Sequence, residues 1–168
     1  PPLSALASLY TLGRKGYQRN LANLIELSQV TRMIAGSFKD IEVCHSDSSL
    51  GFVTMLRIFP PELINNPFKK KEISNITNGT SGMKEFTEKV NVYMKDFFIW
   101  DTATRMDKNK GVEYSFSSGY LKLKNGSNIS GIKLYPVSPH FTKKHVLDSI
   151  STIVKQKKIF DQKIWKEK

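Results

Sequence analysis

The stretch GIKLYPVSPHFTKKHVLDSI, residues 131–150, contains the junction that decides the fold of this chain. Its first part alternates apolar and polar residues and predicts a strand, which Pro136 ends because proline has no N–H to donate to a ladder. Pro139 keeps the residue before it extended and so delays the next helix. Thr142 is a favourable N-cap, so the last helix is expected to begin there. We therefore predict a rigid strand-to-helix junction.

Downstream of this junction, one apolar stripe predicts the buried face of the last helix. The stripe consists of Val146, Leu147, Ile150, Ile153 and Val154. After Lys155 the pattern fades. Residues 143–168 hold eight lysines against three acidic residues, which accounts for +5 of a formal net charge of +11. This composition predicts a solvated basic tail.

Upstream, the chain opens with two helical segments. Residues 3–12 are helical by composition, and Gly13 and Gly16 predict a break or bend after them. A second amphipathic helix is expected from Tyr17 to a plausible end at Gly36, because its apolar residues recur at spacings of three and four.

The middle of the chain predicts a hairpin followed by a helix. IEVCHS at 41–46 and GFVTMLRIFP at 51–60 are two strand-like runs separated by turn residues. Residues 60–82 are rich in proline, asparagine and lysine and predict a long surface loop. A third helix is expected over about 83–105, with an aromatic apolar face that indicates core packing.

A second hairpin precedes the last helix, and it completes the predicted fold. Its strands are expected at 111–123 and 132–137, joined through the Asn-Gly turn at 125–126. Hairpins separated by helices predict an α+β fold: a small antiparallel sheet of about four strands with helices packed on one face. Residues 1–36 are predicted as a helical arm and residues 37–168 as the α+β domain.

Composition narrows the class of protein. The chain has 168 residues, of which 39% are hydrophobic, and this is enough to bury a core. No apolar run approaches the roughly 20 residues of a membrane span, and no signal-peptide pattern is present. The abrupt helical start after Pro1 predicts a piece of a longer protein.

Cys44 is the single cysteine, so no internal disulfide can form, and we predict a buried inert thiol.

Motifs for catalysis are missing from the sequence. There is no glycine-rich phosphate loop, no zinc-protease motif and no Cys/His metal spacing. The three histidines, His45, His140 and His145, are scattered, and the last two are only a weak metal signal. The residues by themselves show no complete active site.

Three stretches taken together resemble one family, the group II pyridoxal-phosphate-dependent amino-acid decarboxylases of fold type I. LASLYTLGRKGYQRNLANLIELSQ at 6–29 resembles the helix pair that opens the C-terminal part of these enzymes, with its L-G-R-K-G break. GFVTMLRIFP at 51–60 resembles a strand of the same part. YSFSSGY at 114–120 and GIKLYPVSPHFT at 131–142 resemble the last hairpin and its exit to the final helix.

This resemblance implies a parent enzyme that decarboxylates an amino acid with pyridoxal 5'-phosphate. The family's C-terminal domain is a small antiparallel sheet carrying helices. The family's cofactor lysine lies in an upstream large domain, and its His-Lys segment is absent here. The implied fragment therefore binds no cofactor, is inactive alone and packs on the large domain of a cytoplasmic homodimer.

The resemblance also assigns a candidate role to Lys133. Aligning Pro139 with the family's proline places Lys133 where several members carry a basic residue, usually arginine, that pairs with the substrate carboxylate. The alternative is a strand lysine that faces solvent. Arg57 is a fainter candidate for substrate contact, and a structural ion pair is the favoured interpretation there.

A function of a different class is an alternative to the decarboxylase. The chain could be a free-standing basic α+β binding module, whose aromatics Tyr114, Phe116 and Tyr120 would suit a nucleic-acid-binding sheet. The glycine-aromatic RNA motif is absent and the lysines concentrate in the tail rather than on strands, so nucleic acid is not expected as a partner. A membrane is not expected either, because no apolar run is long enough to span it. A small-molecule regulatory domain is a third possibility, based on fold analogy alone.

Overall fold

The computed structural model of the chain describes residues 2–44, 51–69, 81–108, 114–135 and 141–167. Within these ranges the chain forms three α-helices and one four-stranded antiparallel sheet, which confirms the predicted α+β class. The helices are α1 Pro2–Gly36, α2 Ser81–Lys108 and α3 Lys143–Lys163. The strands are β1 Ile41–Val43, β2 Thr54–Ile58, β3 Ser115–Lys122 and β4 Asn128–Leu134. None of the described helices is both long and apolar enough to cross a membrane.

Both predicted hairpin pairs form, and they meet in the middle of the sheet. The strand order is β1-β2-β4-β3, with antiparallel pairing at each step. The contact between β2 and β4 joins the hairpins, with Leu56 opposite Ile132. Between Ser117 and Leu121 the register of β3 shifts, so three residues of β3 stand opposite one residue of β4. This irregularity is a β-bulge at an edge strand, where such bulges are common.

The helices pack against one face of this sheet, as predicted. Alternate strand residues enter the same buried cluster as the helices, because side chains point to opposite faces along a strand. The strand members include Ile41, Leu56, Ile58, Ile132 and Leu134. The helix members include Leu27, Ala35, Val90, Met94, Phe97, Val146, Ile150 and Phe160. The last part of α1 therefore belongs to the core, and the division at Gly36 into an arm and a domain stays a prediction.

The predicted break in the first helix is confirmed at Gly13. This residue has φ 60° and ψ 174°, and helical geometry resumes after it up to Gly36. Glycine adopts a positive φ at little cost because it has no Cβ. The L-G-R-K-G segment is thus a real kink in α1.

The start of the second strand of this hairpin differs from expectation. β4 begins at Asn128, four residues earlier than predicted, because the turn is tight. Gly126 has φ 84°, and the Ser127 N–H donates to Asn125 Oδ1 at 3.0 Å. The ladder can therefore start directly after the turn, and backbone pairing does not need the apolar alternation that marked the strand in the sequence.

The predicted start of the last helix is confirmed. The backbone of Thr142 is extended, and its Oγ1 accepts a hydrogen bond from the N–H of His145. The imidazole Nδ1 of His145 in turn accepts from the N–H of Thr142 at 3.1 Å, which completes a capping box. Pro136 and Pro139 lie outside the described residues.

The prediction of a solvated tail after Lys155 is wrong. α3 continues to Lys163 and buries Lys157, Phe160 and Asp161. The missed signal is the spacing of three and four between these residues, which keeps them on the buried face, although one of them is a lysine. Leu147, predicted in the buried stripe of this helix, is 49% exposed.

The end of α3 is held by a buried polar cluster. Lys157 Nζ lies 2.6 Å from a carboxylate oxygen of Asp161 and 3.1 Å from one of Asp40. The hydroxyl of Tyr93 donates to the other oxygen of Asp161 at 2.6 Å. Beyond the helix, Trp165 packs edge-on against Tyr93 with ring centroids 4.9 Å apart. These contacts tie α3 to α2 and to the α1–β1 connection.

Candidate functional site

The sheet face turned away from the helices carries both residues that the resemblance singled out. On β4, Lys133 lies opposite Met55 of β2. Arg57 follows Met55 by two residues, so it points to the same face. Diagonal neighbours of this kind lie about 7–8 Å apart. Two cations from distant parts of the sequence therefore share one surface of the sheet.

Lys133 and Arg57 differ in their surroundings. Lys133 is half-buried and pairs on its other side with Ser115 of the edge strand β3. Arg57 is fully buried, with 0% exposure, and its guanidinium carbon lies 5.5 Å from the centre of the Phe59 ring. Lys133 is thus the cation of the two that a molecule outside the fold can reach.

Burial dominates the electrostatics around Arg57. Desolvation lowers the pKa of Arg57 from 12.5 to about 10, although Cys44 and Glu42 act in the opposite direction. Glu42 is its cross-strand neighbour in β1. Burial raises the pKa of Glu42 from 4.5 to about 7, partly offset by the charges of Arg57 and Lys69. This mutual proximity of Arg57 and Glu42 supports the structural interpretation of Arg57.

Cys44 matches its prediction of a buried thiol. It is a free cysteine that is 9% exposed. Burial raises the pKa of Cys44 from 9.0 to about 12, against the opposing effect of Arg57 and with a smaller contribution from Glu42. A thiol with such a pKa is protonated near neutral pH and is a poor nucleophile.

The aromatics of β3 do not form an open stacking surface. Tyr114 is buried and its hydroxyl donates to Asp101 of α2, while Phe116 stacks on Phe98 of α2 with centroids 5.5 Å apart. Both rings therefore serve the core. Tyr120 remains, and burial raises its pKa, with a smaller contribution from Cys44. One aromatic residue is too few for the base-stacking sheet considered from the sequence.

The predicted weak metal signal finds no support in the described part of the chain. His145 is engaged in capping α3, while His45 and His140 lie outside the described residues. Among the residues that the structure describes, no three histidine, cysteine or acidic side chains cluster as metal ligands would.

A Schiff base needs an accessible lysine that is not held in ion pairs, and Lys157, the buried lysine among the described residues, does not fit. Lys157 is 2% exposed, but two carboxylates hold its Nζ. A Schiff base forms when the amine reaches the carbonyl carbon of the cofactor, and this Nζ is shielded from solvent and engaged by both carboxylates. This residue is therefore unsuited to carry pyridoxal phosphate.

Known proteins give no further guide to this site. No protein-family model, curated protein or solved structure matches the chain. The functional argument therefore rests on the residues and their geometry.

One polar feature was not anticipated from the sequence. An open groove of about 300 Å³ lies between α2 and the β3–β4 hairpin, and Asn91, Ser127 and Ser130 help to line it. The N-G-S-N-I-S run at 125–130 predicts only a turn. Its serines could have been noticed as polar residues at strand positions, but their pairing with α2 depends on tertiary contacts.

Proposed function

We propose that this chain is the C-terminal small domain of a group II pyridoxal-phosphate-dependent amino-acid decarboxylase. In the intact enzyme it covers the active-site entrance, contributes a substrate contact and is not catalytic by itself. The order of elements supports this proposal: a helix kinked at Gly13 within L-G-R-K-G, a four-stranded antiparallel sheet, and a final helix that begins at Thr142.

The observation that carries the proposal is the position of Lys133. Its side chain lies on the sheet face turned away from the helices, beside the fully buried Arg57. An ammonium group in such half-buried surroundings attracts a carboxylate more strongly than one in open water, because the effective dielectric constant is lower. Lysine offers a point charge where most family members present a planar guanidinium, so the contact would be less directional.

The first half of α1 gives independent support for a missing partner surface. Its large apolar side chains remain exposed: Tyr10 by 83%, Leu12 by 43%, Tyr17 by 43% and Leu21 by 36%. Exposed large apolar side chains that recur along one segment commonly mark an interface. We assign it to packing against the large domain of the same polypeptide.

The proposal places the cofactor outside these residues. Pyridoxal phosphate supplies an electron sink for the charge left when carbon dioxide departs, and the large domain would hold it. The chain described here would orient the amino-acid substrate through Lys133. We further propose that the parent enzyme is a cytoplasmic homodimer.

The test uses the complete polypeptide that contains these residues. Its pyridoxal phosphate content and its release of carbon dioxide from a panel of L-amino acids are measured, together with those of Lys133→Ala. Loss of a charge-assisted hydrogen bond costs about 1.5–3 kcal/mol, so kcat/KM should fall about 10- to 100-fold. Lys122→Ala, at an exposed lysine of β3, is the matched control and should match the parent.

Two results would count against separate parts of this proposal. A polypeptide that neither binds pyridoxal phosphate nor releases carbon dioxide is not a decarboxylase of this group. An active enzyme in which Lys133→Ala and Lys122→Ala behave alike would keep the family assignment and remove the role of Lys133.

The binding-module alternative loses its main argument, because Tyr114 and Phe116 face α2.

A further inference from the structure

Ser115 of the edge strand β3 lies next to Lys133 on the sheet face turned away from the helices. The two residues are direct partners in the β3–β4 ladder. Side chains of such directly paired residues point to the same face, and their Cβ atoms are about 4.5–5.5 Å apart. The register therefore places a hydroxyl beside the base of the Lys133 side chain.

Both side chains are free to contact a ligand. Neither Lys133 nor Ser115 forms a side-chain hydrogen bond or an ion pair within the part of the chain that the structure describes. Both residues are half-buried, and neither the ammonium group nor the hydroxyl is sealed from solvent, in contrast to the hydroxyl of Ser127. A half-buried ammonium group without an acidic partner is an unsatisfied charge, and an anion from outside the fold would satisfy it.

Two other neighbours of Lys133 on this face are apolar. Across the sheet on β2 lies Met55, which is 1% exposed. Along β4 lies Gly131, and the Met55 methyl group occupies the place of its missing side chain, since a Cβ there would lie 2.5 Å from Met55 Cε. These neighbours offer no hydrogen bond. A ligand held by Lys133 therefore finds its second polar contact on the β3 side, at Ser115.

We infer that Ser115 and Lys133 together hold the α-carboxylate of the amino-acid substrate. The ammonium group of Lys133 bonds to one carboxylate oxygen, and the hydroxyl of Ser115 donates to the other. A guanidinium presents two parallel N–H donors to a carboxylate, whereas an ammonium is a point charge on a flexible stem. Ser115 supplies the second donor that an arginine at position 133 would carry itself. We call this pair the two-donor site.

The inference rests on the proposed function for the identity of the ligand. The two-donor site itself rests on the strand register, the accessibility of both side chains and their lack of partners in the described part of the chain. The carboxylate of another small molecule would be held in the same way. The site and the substrate can therefore be tested separately.

The complete polypeptide tests the contact with substrate. Ser115→Ala should lower kcat/KM for the L-amino-acid substrate about tenfold, the lower end for a hydrogen bond to a charged group, because the site is partly exposed. Ser115→Thr keeps the hydroxyl and should retain the activity. Inhibition by the amine product, which lacks the α-carboxylate, should be the same in Ser115→Ala and the parent. General damage to the active site would weaken this inhibition as well.

An arginine at position 133 gives a sharper test. In Lys133→Arg the guanidinium supplies both donors, so the addition of Ser115→Ala should lower kcat/KM by less than about twofold. Ser118→Ala, at an exposed serine of the same strand, is the matched control and should behave like the parent. Tyr135→Phe removes a hydroxyl just beyond the end of β4 and should also behave like the parent.

Acetate tests the two-donor site without any enzyme activity. The 168-residue chain is titrated with sodium acetate, and with sodium chloride at equal ionic strength, while amide shifts are followed in NMR spectra. Saturable shifts at Ser115 and Lys133 are expected with acetate alone. Ser115→Ala should weaken acetate binding several-fold, and Ser118→Ala should leave it unchanged.

The outcomes separate this inference from the proposed function. A decarboxylase in which Ser115→Ala and Ser118→Ala have the same kcat/KM keeps the proposed function and overturns the role of Ser115. A tenfold loss that persists in the Lys133→Arg background also overturns it. A polypeptide that binds no pyridoxal phosphate, yet binds acetate at Ser115 and Lys133, keeps the two-donor site and overturns the decarboxylase. Absence of acetate shifts at both residues overturns the site.

Discussion

Replacement of Lys157 by methionine tests the buried cluster that anchors the last helix. Lys157 Nζ bonds to Asp161 at 2.6 Å and to Asp40 at 3.1 Å, and the residue is 2% exposed. Methionine keeps most of the apolar stem and removes the charge, so the packing of α3 should change little. The variant would leave the Asp161 carboxylate buried with the Tyr93 hydroxyl as its remaining partner in the cluster.

The size of the effect follows from this geometry. Removing one partner of a buried ion pair costs about 3–5 kcal/mol, because the other charge remains buried. Asp40 is 20% exposed and can be hydrated, and Asp161 keeps one hydrogen bond, so we expect a loss near the lower end, about 3 kcal/mol. For a chain of this length, such a loss lowers the Tm by about 6–12 °C.

Urea unfolding measures this loss, with tryptophan fluorescence as the probe, since Trp165 packs on Tyr93 and Trp100 packs on Phe160. Lys158→Met is the matched control: its lysine is exposed on the same helix and should change the free energy of unfolding by less than about 0.5 kcal/mol. Adding Asp161→Asn to Lys157→Met should recover part of the loss. If Lys157→Met and Lys158→Met unfold at the same urea concentration, the cluster does not stabilise the fold as argued.

Two further predictions concern the sheet. Because burial raises the pKa of Glu42 from 4.5 to about 7, the folded chain keeps a proton that the unfolded chain releases in this window. The contribution of this proton to the free energy of unfolding is fully present below pH 4.5. It falls by about 3 kcal/mol in total as the pH rises through about 7. Glu42→Gln should lack this loss, and unfolding curves of parent and variant that shift in parallel with pH would contradict it. At Gly131, a Cβ would lie 2.5 Å from Met55 Cε, so the buried Met55 side chain must move its flexible end, and Gly131→Ala should cost about 1 kcal/mol. Gly119→Ala, whose Cβ would have its nearest neighbour at 3.8 Å, should cost less, and equal losses in thermal unfolding would refute the steric argument.

Local patterns in the sequence were sufficient for the elements and their junctions. The apolar period of three and four marked the helices, and Asn125–Gly126 marked the turn of the second hairpin. Thr142 marked the start of α3, and Gly13 marked the kink in α1. Each of these features depends on residues only a few positions apart, so it can be predicted from the sequence without the tertiary structure.

The same local reasoning failed where a charged residue is buried. Lys157 lies in a lysine-rich segment that predicts a tail. Asp161, four residues away, supplies one partner for its Nζ, and Asp40, which is far away in sequence, supplies the second. Burial of a charge depends on its partner, and the partner is supplied by tertiary packing.

The candidate sites show the same division. The sequence by itself determined an α+β fold and nominated Lys133 through a resemblance. Only the register between β2 and β4 decided that Lys133 shares a face with Arg57, because a slip of one residue would turn every side chain to the opposite face. The approach of α2 to the hairpin decided that the side chain of Asn91 bonds to the backbone of Asn128 and Ser130. Such contacts join segments that are distant in the chain, and no local pattern records them.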